Sequence, residues 1–190
     1  MGKCLFIGVA AVLLTSALAG QERRIDLRIT PESSAFDHAA DEYRDTWNRE
    51  GQRIIAVMER ATGLRFETGP IPVVVFEGTS SSGFRSEPMR LRASYPQDTK
   101  QATLVHELAH RLIGELIPDD FEDHPVIFLF VYDVWQELWG KAFADEQVAV
   151  ESRRRGAFDY ATGWRNALKL AAAERAAQFK QFLREHPSRP

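Results

Sequence analysis

Cysteine is all but missing from this sequence. One residue in 190 is cysteine, Cys4, and it lies in an N-terminal stretch that reads as a removable leader. Without it the chain has no disulfides, no thiol nucleophile and no thiolate ligand, so a metal would have to be held by nitrogen and oxygen. An excess of positive charge is missing too. The 24 basic and 27 acidic side chains leave a net charge of −3. No basic stripe interleaved with aromatics is visible, which argues against a nucleic-acid binder. The one basic run, Arg153-Arg154-Arg155, reads as a solvated helix end. Internal repeats and low-complexity segments are also absent.

What is present begins with the leader. Residues 1–20 combine Lys3, an apolar run from Cys4 to Leu14, and the small-residue triplet Ala17-Leu18-Ala19. This is the pattern of a secretory signal peptide, with cleavage expected after Ala19 and a secreted or periplasmic destination. The run is too short for a permanent membrane anchor. Losing Lys3 leaves 23 basic against 27 acidic residues, a net of −4. Residues 20–190 then suit a single domain with its own core.

The chain is organised around Thr103-Leu104-Val105-His106-Glu107-Leu108-Ala109-His110. Histidines four apart on an α-helix stand about 40° apart around the axis and roughly 6 Å apart along it. Both imidazoles can therefore reach one metal ion. Glu107 points about 100° away from His106, so its carboxylate is left free to manage protons. Leu104, Leu108, Leu112 and Ile113 recur at helical spacing and anchor the helix through an apolar face. Asp98 with Gln101 resembles a capping box at its start, and Gly114 offers an end. On His106, Glu107 and His110 the chain resembles the zincin metallopeptidases. The match is close over about fifteen residues and only architectural beyond them.

The resemblance implies a third ligand downstream, since a catalytic zinc usually keeps three protein ligands. The metzincin spacing fails, because position 116 is Leu and position 113 is Ile. Glu137 would be the ligand by resemblance to gluzincins, although Asp133 then stands on the wrong side of it. His124, 14 residues after His110, is similar in spacing to the third histidine of SprT-like proteases. The two exclude each other, because along one helix they are about 20 Å apart. Zinc's ligand chemistry favours His124. Asp133 could instead orient a ligand histidine through a hydrogen bond. His38 has no partner at ligand spacing, and His186 opens a C-terminal tail expected to fray.

The fold expected is α+β and zincin-like: a small antiparallel or mixed sheet packed on the motif helix, then a helical C-terminal half. Strands are expected at 25–29, 71–76 and 89–95. A helix over 36–62 carries Phe36, Ala40, Tyr43, Trp47, Ile54, Ile55 and Met58 on its buried face, with Gly51 a possible interruption. One helix is expected from His124, as N-cap, to Trp139, and further helices near 142–154, 158–171 and 173–185. The strand at 89–95 would receive a peptide substrate by β-augmentation, as the resemblance implies.

The function this suggests is a zinc metallopeptidase with one zinc per chain. Zinc would lower the pKa of its water and Glu107 would accept the proton. Tyr95, Tyr132, Tyr160 and the arginines near position 90 are candidates for stabilising the oxyanion. Peptidoglycan amide bonds are an alternative substrate class. The rival reading is a catalytically silent zincin-fold domain of the cell envelope that uses metal for structure or binds a partner. N-terminal sequencing of the exported protein is expected to start near Gly20, and an intact Met1 on that form would overturn the leader assignment.

Overall fold

The computed structural model describes residues 25–83, 87–118 and 121–187. The expected leader lies outside them. No described helix is long and apolar enough to cross a membrane.

Three strands form one sheet in the order β1 (Ile25–Pro31), β2 (Gly69–Phe76), β3 (Met89–Arg92). Both pairings are parallel, with Ile29 opposite Val73 and Val75 opposite Leu91. The antiparallel or mixed sheet expected from the sequence is therefore corrected to a parallel one. The physical reason is the connections. Parallel neighbours need a long return path, and α1 (Asp37–Thr62) supplies it between β1 and β2. The segment 77–88 does the same between β2 and β3. Strand alternation reports only that one face is wet, as in β1 where Ile25, Leu27 and Ile29 are buried and the residues between are exposed. It carries no information about strand direction.

Helix α1 packs on β1 and continues under α4 (Val131–Trp139) and α7 (Ala172–Glu185). Its expected inner face is correct, with Ala40, Tyr43, Ile54 and Met58 fully buried. Gly51 does not interrupt it. A Cβ there would fall 2.8 Å from Cδ2 of Trp47, so glycine makes room for the indole one turn earlier. Gly63 ends the helix at φ 75°, and its N–H bonds to the Glu59 carbonyl.

The motif helix is α2 (Gln97–Ile113). Asp98 is not its cap; Pro96 occupies that position and no side chain caps it. The helix runs on through a 3-10 turn, Gly114–Leu116. It is buried almost all round from Ala102 to Ala109, because β3, α1, α4 and α5 (Lys141–Glu151) surround it. The outer edge of β3 is already engaged. The Arg90 N–H and C=O exchange bonds of 2.9 Å with Ser81, the Arg92 N–H donates to Ser80 Oγ at 3.1 Å, and Tyr43 O–H donates to the Arg92 carbonyl at 3.0 Å. A peptide could add to this edge only by displacing the chain's own residues.

The helix expected over 124–139 is two helices, α3 (His124–Ile127) and α4 (Val131–Trp139). The break lets two neighbouring aromatics bury in different places. Phe128 stacks on Trp164 at 3.8 Å, and Phe130 meets Phe179 edge-on at 5.0 Å. Helices α5 (Lys141–Glu151), α6 (Tyr160–Leu168) and α7 (Ala172–Glu185) complete the helical half. On α4, Asp133 accepts two bonds from Arg175 of α7, at 2.9 and 2.5 Å, so it ties helices together. Replacing Asp133 with Asn is expected to cost about 2 kcal/mol, the scale of a charge-assisted hydrogen bond. Urea unfolding would measure it, and metal uptake is expected to stay unchanged.

Candidate metal centre

Helix α2 presents His106 and His110 one turn apart, and the first residue of α3 brings His124 against them. The ring centroids are 4.9 Å apart for His106–His110, 4.8 Å for His110–His124 and 5.4 Å for His106–His124. One nitrogen from each lies within 4.8 Å of the others, a group that could bind a metal ion. His106 Nε2 and His110 Nε2 are 3.1 Å apart. Two nitrogens bound tetrahedrally to one zinc would stand ~3.3 Å apart, given bonds of about 2.0 Å.

The opposite ring nitrogens explain the arrangement. His106 Nδ1 lies 2.9 Å from Glu151 Oε1. His110 Nδ1 lies 2.6 Å from Asp123 Oδ2. His124 Nδ1 contacts Glu122. Carboxylates at all three Nδ1 atoms favour the tautomer that leaves Nε2 with its lone pair, as in many metal sites. Lone pairs of neighbouring Nε2 atoms then face each other, which a cation or a proton between them relieves. The donors therefore fit a divalent metal that prefers nitrogen.

Electrostatics follow burial. His106 is 1 % exposed, and burial pushes its pKa down to about 4, against the opposing pull of Glu151. Burial alone would raise Glu151, but His106 and Arg154 outweigh it and hold the carboxyl at about 2. The second oxygen of Glu151 accepts the Trp164 indole N–H at 3.0 Å. His124 is lowered by burial, whereas in His110 burial is overcome by Asp123 and the pKa rises. The buried Glu107 is pushed up to about 7 by burial, although His110 and Arg154 pull it down. Tyr160 closes the cluster. Its hydroxyl lies 2.8 Å from His124 Nε2, and burial raises it to about 12. Phe158 stacks on the His124 ring at 4.6 Å.

His106, His110 and His124 are thus brought together, and Glu107 is buried on the helix that carries the first two. His124 is not the N-cap expected of it; Asp123 is, and His124 is the first helical residue. Glu137 is half exposed and paired with Arg60 of α1, away from the cluster. The orienting part assigned to Asp133 is taken by Asp123, Glu122 and Glu151, none of which the sequence singled out. Asp123 and Glu122 flank His124 and were legible in principle; Glu151 has no local signal. Arg154 is turned inward, unlike its exposed neighbours Arg153 and Arg155. His38 is exposed, and His186 stacks on Phe182 at 4.3 Å, so neither joins the site.

No protein-family model matches the chain, and no curated protein or solved structure matches it either. What can be said of function rests on the geometry.

Replacing His124 with Ala is expected to weaken zinc binding about as much as replacing His106, with Glu137→Ala leaving it unchanged. Asp123→Ala is expected to cost roughly 10- to 100-fold in affinity. Competition titration against a chromophoric chelator measures all four.

Proposed function

We propose that this protein is a zinc-dependent hydrolase of peptide bonds, a metallopeptidase of zincin type. His106, His110 and His124 hold the ion and Glu107 is the general base. One observation carries the reading. One ring nitrogen from each of His106, His110 and His124 lies within 4.8 Å of the others, and Glu107, a buried carboxyl on the helix that carries two of them, is paired with none of their Nδ1 atoms. Neutral imidazoles are the donors zinc prefers in such a set. Zinc bound there supplies Lewis-acid polarisation of a carbonyl and makes water more acidic.

The protein's own groups do the rest. Glu107, with its pKa raised to about 7, sits where a carboxyl can take a proton and return one at neutral pH. Its two roles would be to accept a proton from the attacking water and to deliver it to the leaving amine. Tyr160 offers an O–H within reach of the same space, suited to an oxygen that gains negative charge. Glu151, Asp123 and Glu122 keep the imidazoles aimed. Burial of His106 and Glu107, 1 % and 4 % exposed, limits competing solvent.

Glu107→Gln keeps size and hydrogen bonding and removes the base. It is expected to bind zinc normally and lose about 10² to 10⁴ in rate on an unstructured protein or a mixed peptide library. Equal turnover by mutant and wild type would show that Glu107 is not the base. No turnover by either, with zinc bound, would favour a domain that keeps its metal without catalysis, once peptidoglycan fragments had also failed.

A further inference from the structure

Arg175 and Arg154 are both largely buried, yet the fold uses them differently. Arg175 closes its fork on Asp133, donates to the Leu170 carbonyl at 2.6 Å, and leaves 6 % of its side chain exposed. Its guanidinium is fully engaged. Arg154 makes no such fork among the described residues. Its Nη1 stands 3.3 Å from Glu151 Oε1, its Nη2 is 3.4 Å from Thr103 Oγ1, and 20 % of the side chain is exposed. Glu151 gives its closer contacts to His106 at 2.9 Å and Trp164 at 3.0 Å, so it is only a partial counter-ion for Arg154.

The location gives this under-used cation a role. Thr103 lies one turn before Glu107, on the same side of α2. Arg154 Cζ is 5.5 Å from the ring centre of Tyr160, whose hydroxyl reaches the His124 Nε2. The guanidinium therefore stands at the margin of the histidine cluster, on the side that carries Glu107. A planar fork of N–H donors with spare capacity, in a partly dry setting, is suited to a carboxylate. An ammonium or a neutral amide would not provide the same match.

We propose that Arg154 anchors a carboxylate of the substrate next to the bond that is cut. This rests on the hydrolase reading of the site and adds a substrate class to it: peptides that carry a carboxylate near the scissile bond. The carboxylate could be a free C-terminus or an Asp or Glu side chain, and the two sources are separable.

The test reads binding, so that it survives a failure of catalysis. Zinc-loaded Glu107→Gln protein is titrated calorimetrically with two peptide pairs. The first pair has one sequence with a free or an amidated C-terminus. The second has amidated ends and an internal Glu or Gln. In one pair the carboxylate form is expected to bind roughly tenfold tighter or more, as for a charge-assisted hydrogen bond. The responding pair names the source. In Arg154→Met, made in the same background, that ratio is expected to fall to near one. Arg154→Lys is expected to lie between, because the ammonium keeps charge but lacks the fork. No preference in either pair, or a preference that persists in Arg154→Met, overturns the proposal. If Arg154→Met does not fold or load zinc, the Lys variant decides, and an unchanged ratio there overturns it. Turnover of the same peptides by wild type is scored separately. A carboxylate preference lost with Arg154, without turnover of these peptides or of peptidoglycan fragments, would leave Arg154 as an anchor and remove the hydrolase reading.

Discussion

Three carboxylates lie against the Nδ1 atoms of three imidazoles, Asp123 and Glu122 through hydrogen bonds and Glu151 through an ion-pair contact, and the rest of the site depends on that constraint. A histidine ring free to turn offers either nitrogen and no fixed direction. Once Nδ1 is occupied, the lone pair of Nε2 points one way, and here the Nε2 atoms of His106 and His110 stand 3.1 Å apart with a ring nitrogen of His124 close by. The carboxylates are themselves held. Glu151, at the end of α5, is fixed by the Trp164 indole on α6 and accompanied by Arg154, so the helical half of the chain aims a ring on α2. Such layered support costs desolvation at each level, offset where a buried charge meets an opposite charge or a donor, as Glu151 meets Arg154 and the Trp164 indole.

Glu107 differs from the other buried carboxyls. Glu151 is drawn down by His106 and Arg154, but Glu107 is pushed up by burial further than His110 and Arg154 can pull it back. Two carboxyls in one cluster thus have opposite tendencies, one suited to staying charged and one to exchanging a proton. Their difference comes from packing. Helix α2 is surrounded by β3, α1, α4 and α5 along its central turns, so even Glu107 lies out of water.

Much of this was legible in the sequence, and the failures share a cause. The motif and the long first helix with its Tyr43, Trp47 and Met58 face follow from spacing along one chain segment, whereas the preference for His124 over Glu137 rests on the ligand chemistry of zinc. The sheet direction was misread because alternation in β1 and β3 records which face is wet, and return paths set direction. The single helix expected over 124–139 was misread because the run Val126–Tyr132 is apolar throughout, so periodicity could not show a break. Only the partners Trp164 and Phe179 explain why Phe128 and Phe130 turn apart.

The sequence by itself determined that His106, Glu107 and His110 share a helix in an order that puts two nitrogens on one side and a carboxyl beside them. That is a local property, fixed by 3.6 residues per turn. Tertiary structure alone decided which carboxylates orient the rings, that Arg154 turns inward while its neighbours face water, and that β3 has its outer edge engaged. Those outcomes join residues far apart in the chain, such as His106 with Glu151 and Arg92 with Tyr43. Such pairs leave no pattern at any fixed spacing, because helices and sheet must first pack before the burial that makes each contact worthwhile exists.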